Sequence, residues 1–262
     1  MYAGDGVVLC RVLGKYLVYV DVKDVGIGAR LALDGFWEAW ITAAIARTVQ
    51  PGWRCVDVGA NHGYYTLVLA DAAGPEGRVV AIEPSPRAAG LLEMTVELNG
   101  FEGFTTVLQQ VAADRGGSIA LRIPEHHGMN ASIREDIVES GETVSVEATT
   151  LDELLAEWPR VDLVKIDVEG AEELVWRGMR DVVDLNPAIT ILLEVNSSRY
   201  DDAKAFYREL EGCGFPLRYV DFDGEIKAID IDRLAVDRFG DDWMLFLART
   251  DARSRAVAAL SG

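Results

Sequence analysis

Seven consecutive residues, Asp57-Val58-Gly59-Ala60-Asn61-His62-Gly63, gather two glycines, a carboxylate and an amide into one short segment. Glycine lets a turn close tightly and lets a ligand approach the backbone. Where such a turn follows a buried strand and opens a helix, the free N–H groups face a nucleotide-like ligand. Asp57 stands just before the first glycine, where a carboxylate gains nothing from a phosphate but can meet an amino-acid ammonium, directly or through water. Glu83 ends the run Val80-Ala81-Ile82 about 20 residues beyond the glycines, the position from which a carboxylate accepts both hydroxyls of a ribose and opposes a 2′-phosphate. A glycine turn alone is weak evidence, since it also closes loops in α/β proteins that bind nothing.

A second constellation lies further on, in Val164-Lys165-Ile166-Asp167-Val168-Glu169. Lys165 and Asp167 are two residues apart, so on a strand they share a face and can pair. Opposite charges on a buried strand are costly unless they meet each other, a ligand or water. Asp167 at the strand end, Glu169, Glu194 at the end of Thr190-Ile191-Leu192-Leu193, and His126 with His127 are candidates for taking a proton from a reacting group. The competing role for Lys165 and Asp167 is an ion pair that merely orders the strand end. Asp167 with Glu194-x-Asn196 could also offer oxygen ligands to magnesium or calcium, but carboxylates at strand ends are common for other reasons, so no metal is assigned.

The elements that must position these groups follow from periodicity and punctuation. Residues 7–20 read as a hairpin around Gly14-Lys15, and 36–49 as an apolar helical stripe ending before Pro51-Gly52. From Trp53 the chain alternates: strand 53–58, helix 62–72, strand 78–82, helix 86–99, strand 105–109. Ser85 caps the second of these helices, with Pro86 at its first position and Gly100 past its end. Residues 115–148 suggest an antiparallel excursion, Thr150 and Glu153 a capping box for a helix over 151–157. A strand over 161–167, a helix over 170–179, a strand over 189–194, a helix near 200–211, a hairpin over 217–230 and a last strand over 243–248 complete the pattern. Strands alternating with helices mean a doubly wound, mostly parallel sheet, carrying an N-terminal hairpin and helix as an addition. The expected organisation is an extension over 1–50 packed on the core, one catalytic domain over 51–250, and a tail over 251–262. Phe36, Trp37 and Trp40 at helical spacing are read as core packing before they are read as a lid.

With 262 residues, half of them apolar, the chain is long enough for one well-buried α/β domain. No stretch approaches the roughly 18 apolar residues of a membrane span, and the start lacks the basic segment of a signal peptide, so a soluble cytoplasmic protein is expected. Cys10, Cys55 and Cys213 show neither metal nor redox spacing, which predicts free thiols. The formal charge of −18 opposes nucleic-acid partners, whose binding rests on Lys and Arg neutralising phosphates. The oligomeric state stays open, a homodimer included.

From about Asp34 to Gly178 the sequence resembles the FkbM-type methyltransferases. The motifs that carry the resemblance are D-V-G-A-N-H-G-Y-Y at 57–65, I-E-P-S-P at 82–86, T-L-D-E-L at 150–154 and, above all, V-K-I-D-V-E-G-A-E at 164–172. The resemblance implies a Rossmann-like, seven-stranded sheet of order 3-2-1-4-5-7-6 with strand 7 antiparallel, and S-adenosylmethionine as cofactor. On that reading the cofactor meets Asp57, Gly59, Ala60, Asn61, Gly63, Tyr64, Glu83, Pro84 and Ser85, with Asn61 toward its methionine end. The implied reaction is O-methylation of a hydroxyl on a small-molecule acceptor such as a sugar, glycolipid or polyketide-like product, with Asp167, Lys165, Glu194, His126 and His127 as candidate catalytic residues. Two other classes compete: an NAD-dependent oxidoreductase, which lacks the full G-x-G-x-x-G fingerprint here, and a non-catalytic S-adenosylmethionine-binding module.

Overall fold

The computed structural model describes residues 1–124, 131–134, 141–236 and 242–249. Strands β1 (Tyr2–Gly4), β2 (Val7–Val12) and β3 (Tyr16–Asp21) form a small antiparallel sheet. β2 and β3 are the expected hairpin, with Tyr16, Val18 and Val20 of β3 turned inward. Two helices follow, α1 (Ile27–Asp34) and α2 (Ala39–Thr48). α1 is absent from the pattern-based expectation because Gly26 and Gly28 dilute its apolar stripe, and α2 begins three residues later than position 36.

Next come β4 (Arg54–Val58), α3 (Tyr64–Ala73), β5 (Arg78–Ile82), α4 (Pro86–Leu98) and β6 (Thr105–Leu108), where the alternation places them. The Ser85 hydroxyl accepts from the Ala88 N–H and Pro86 opens the first turn of α4, as expected. β7 (Val111–Ala112), β8 (Gly117–Ile123) and β9 (Glu142–Thr149) make a third sheet, with β8 and β9 antiparallel. The Thr150 hydroxyl caps α5 (Leu151–Leu154) by accepting from the Glu153 N–H. The chain continues through β10 (Leu163–Ile166), α6 (Glu172–Arg177), α7 (Arg180–Leu185), β11 (Thr190–Val195), α8 (Ala203–Gly212), β12 (Arg218–Val220), β13 (Ile226–Ala228), α9 (Ile231–Leu234) and β14 (Trp243–Ala248). The helix expected over 170–179 is α6, and α7 follows it as a further helix that the pattern does not predict.

The main sheet has the order β13-β12-β14-β11-β10-β4-β5-β6. Read from β6, this is the 3-2-1-4-5-7-6 arrangement, with β14 antiparallel to β11, plus β13 as an eighth strand where the second arm of the hairpin joins the edge. Sheet residues alternate between two cores. Val56, Val58, Val164, Ile166, Ile191 and Leu193 pack with α5–α9 on one face. Cys55, Leu163, Leu192, Met244 and Phe246 pack with α1–α3 and the N-terminal hairpin on the other. The order reverses between β4 and β10, so the ends of these two central strands open a crevice, the place where doubly wound sheets hold ligands. Three free cysteines match the expectation. Among the described residues no helix is long and apolar enough to cross a membrane.

Candidate active site

The loop after β4 is shaped by close packing. Gly59 has φ 76°, and a Cβ there would lie 1.8 Å from the Asp167 carbonyl oxygen. Only glycine lets the backbones at the ends of β4 and β10 approach this closely, so the requirement comes from the neighbouring strand, where the sequence suggests a ligand. Gly63 has the same kind of cause: its Cβ would meet the Leu92 side chain of α4 at 2.3 Å. It therefore seats α3 against α4 and does not line the cavity. Asn61 holds φ 49°, a left-handed conformation that asparagine tolerates.

Strand register brings the charged groups together. Lys165 on β10 lies beside Asp57 on β4, and its ammonium is 3.1 Å from Asp167, 3.6 Å from Asp57 and 3.4 Å from the Gly59 carbonyl. The ring of Tyr65 covers it at 5.1 Å. Burial alone would push this lysine down, but the carboxylates of Asp167 and Asp57 outweigh it and hold the ammonium above its ordinary value. Asp57 is wholly buried and accepts from the Thr66 hydroxyl at 2.6 Å. It is not among the residues that line the cavity, and it anchors the lysine from below.

Glu83 accepts the N–H of Asn61 and of Ser85, both at 2.8 Å. Each carboxylate oxygen keeps a further acceptor site for a ligand. Burial pushes this carboxyl up to about 7 against the two hydrogen bonds that favour its ionised form. Ser85 caps α4 and is not among the residues that line the cavity at the strand ends.

A cavity of about 450 Å³ runs along the strand ends. Of the residues that the sequence assigns to the cofactor, Gly59, Ala60, Asn61, Tyr64, Glu83 and Pro84 line it, together with Lys165, Asp167 and Glu194. His126 and His127 lie outside the described residues. Phe36, Trp37 and Trp40 also line the cavity; Trp37 and Trp40 are half-buried against the core while Phe36 is 49% exposed. The aromatic stripe thus serves as wall as much as core.

Sequence reasoning misses four groups here: Glu38, Tyr65, Arg199 and Asp242. The Arg199 guanidinium is 2.9 Å from Glu169, 3.0 Å from Asp242 and 3.7 Å from Glu194. Burial first, then neighbouring carboxylates, push Glu169 up to about 8 and Glu194 well above the ordinary carboxylate range. Ligand atoms of Asp167, Glu169 and Glu194 lie within 4.8 Å of one another. Asn196, which the sequence places with Glu194, instead hydrogen-bonds Asp242 and Ser198. The glutamate that ends V-K-I-D-V-E-G-A-E, Glu172, is fully buried and accepts from the N–H groups of Val168 and Gly170 and from the Tyr200 hydroxyl. It shapes the turn that carries Glu169.

Residues 57–217, more than half of the chain, match the methyltransferase FkbM domain. The chain belongs to that family. It is similar to Methyltransferase 1 of Beauveria bassiana, 30% identical over 187 residues that cover 62% of this chain and 72% of that one. It is also similar to Methyltransferase sdnD of Sordaria araneosa, 27% identical over 184 residues covering 53% and 71%. Among solved structures, a putative rRNA methylase from Clostridium thermocellum shares the fold at a TM-score of 0.51 and 11% identity, over 81% of this chain and 95% of that one. TYW2 of P. horikoshii in complex with MeSAdo does so at 0.50 and 14%, over 95% and 74%. This FkbM-family protein is an S-adenosylmethionine-dependent methyltransferase of Rossmann-like fold.

The residues present fit the cofactor. Asn61 Oδ1 is buried at the cavity without a hydrogen-bond partner, the kind of orphaned acceptor that an ammonium or amide satisfies. Glu83 faces the same space. When bound, S-adenosylmethionine supplies a methyl group activated by a positive sulfur, and the protein's task is alignment and handling of the acceptor's proton.

Proposed function

We propose that this methyltransferase transfers the methyl group to a hydroxyl oxygen of a small-molecule acceptor, a sugar, glycolipid or polyketide-like product. The observation that carries the reading is a single cavity joining the cofactor loop to a wall of Phe36, Trp37, Trp40 and Phe222 past Asp167. That wall offers apolar and aromatic surface to a compact acceptor at the place where methyl delivery occurs. The carboxylates around it disfavour phosphate-rich partners, in line with the formal charge of −18. Glu83 holds the ribose hydroxyls, the Gly59–Ala60–Asn61 backbone and the Asn61 amide hold the methionine end, and the Lys165–Asp167 pair fixes the floor beneath the reacting centre, with Glu194 facing the acceptor. The N-terminal 50 residues serve as the acceptor-facing extension of the domain that follows.

The test is methyl incorporation from labelled S-adenosylmethionine into separate panels of hydroxyl compounds, amines and RNA. Product confined to the hydroxyl panel supports the reading, and product confined to either other panel overturns it. Calorimetric titration with S-adenosylhomocysteine and with NADH sharpens the outcome, binding of the first alone being expected.

A further inference from the structure

Five carboxylates around the cavity are answered by a cation: Asp34 by Arg30, Asp167 by Lys165, and Glu169, Glu194 and Asp242 by Arg199. Glu83 is held by two backbone N–H groups. Glu38 differs from all of them. Its Oε2 accepts from the Tyr65 hydroxyl at 2.6 Å, and its Oε1 has no partner among the described residues. Glu38 occupies the N-cap of α2 with φ 34° and ψ 65° and makes no side-chain cap hydrogen bond. A left-handed backbone at a non-glycine residue costs on the order of 1–2 kcal/mol, and such strain gathers where function fixes a side chain. Here it keeps the carboxyl off its own helix end and on the cavity wall.

We propose that Glu38 is the general base that takes the proton from the acceptor hydroxyl. This rests on the O-methylation reading above. The acceptor's O–H proton passes to Glu38 Oε1 as the oxygen–carbon bond forms. The carbon–sulfur bond breaks with its electron pair going to sulfur, which leaves as a neutral thioether, and the proton then departs to solvent. A carboxylate paired with a cation is a weaker proton acceptor than one without, so the groups held by Lys165 and Arg199 are less suited. Glu194 is among the groups held by Arg199, and burial with its neighbouring carboxylates pushes it well above the ordinary carboxylate range.

Among the described residues, charged groups face Glu38 from several elements. Burial pushes its carboxyl up to about 7; the Tyr65 hydrogen bond and Lys165 pull it down, while Asp167 and Asp242 push it up. Glu194 faces the same space from β11, and Arg30 and Asp34 of α1 line the same cavity. A base poised near the working pH is the effective kind. Tyr65, pushed well above its ordinary value, stays a neutral donor and connects Glu38 to the Lys165 it covers.

Glu38→Gln keeps the shape and an acceptor for Tyr65 but cannot take the proton. In ligand-free protein carrying ¹³C at its glutamate carboxyls, the resonance missing from Glu38→Gln should titrate with a midpoint near neutrality in the parent and higher in Tyr65→Phe. Titration at about pH 5 or below, the ordinary glutamate range, overturns the proposal. With a hydroxyl acceptor found in the panel, Glu38→Gln should bind S-adenosylhomocysteine as the parent does yet lose roughly 100-fold in kcat/KM, along with the rise of rate toward neutral pH. An acceptor already ionised at the assay pH should be methylated at close to the parent rate. Equal losses on both acceptors mean that Glu38 only shapes the site, and unchanged turnover removes it from the reaction. Should no hydroxyl compound be methylated, the O-methylation reading fails and the titration alone still decides whether Glu38 is poised to accept a proton.

Discussion

The two walls of the cavity are built on different terms. On the sheet side, Asp57, Lys165 and Asp167 sit on or just beyond adjacent strands in matched register, and the loop above packs so closely that Gly59 has no room for a Cβ. On the side of the N-terminal segment, Phe36 stands half exposed and Glu38 has one hydrogen bond to a tyrosine. The first wall holds its charges in mutual compensation, the second leaves a carboxyl available. On the proposed reading, fixing the donor demands rigidity, while admitting and deprotonating an acceptor demands an uncommitted group.

The largest effect that can break this contrast is expected from Gly59→Val. Its side chain would collide with the Asp167 carbonyl, and a loss of folding stability on the order of 4 kcal/mol or more should follow. Circular dichroism melting checks it; a variant melting like the parent would mean that the sheet wall is not closely built. Lys165→Met comes next. It strands Asp57 and Asp167 without their cation, and urea denaturation should report a loss of about 3–5 kcal/mol. Asp57→Asn in the same chain should recover part of it. Glu83→Ala leaves the fold in place and weakens S-adenosylhomocysteine binding by about 1.5–3 kcal/mol in calorimetry; unchanged affinity would place the ribose elsewhere. The smallest effect belongs to the other wall. Phe36→Ala should shift stability by no more than about 0.5 kcal/mol and leave cofactor affinity alone, while raising KM for the acceptor. A change in cofactor affinity would erase the division between the walls.

The same contrast explains what was legible in the sequence. β4, β5, α4 and β10 announce themselves through local period and punctuation, and the Ser85 cap is present as expected. Glu83 is legible because its distance from the glycines is set by one strand–helix–strand unit. The partner of Asp57 is not legible, because Lys165 lies more than a hundred positions later and only strand register places it across from Asp57. Glu38 gives no local signal: only the folding of α2 over α3 brings it to Tyr65. Arg199 and Asp242 are ordinary surface residues by sequence, joined only by the return of β14 beside β11.

The ends of the main sheet carry a consequence of another kind. β13 at one end has three residues and β6 at the other has four, against six in β11 and β14. Lys227 in the middle of β13 is held at 2.6 Å by Asp221 and by Asp223. A short margin offers a poor template to another extended chain, the more so where it bears a charge as β13 does. Growth of the sheet from one molecule into the next is therefore discouraged at both margins by their shortness, and at β13 by its lysine as well.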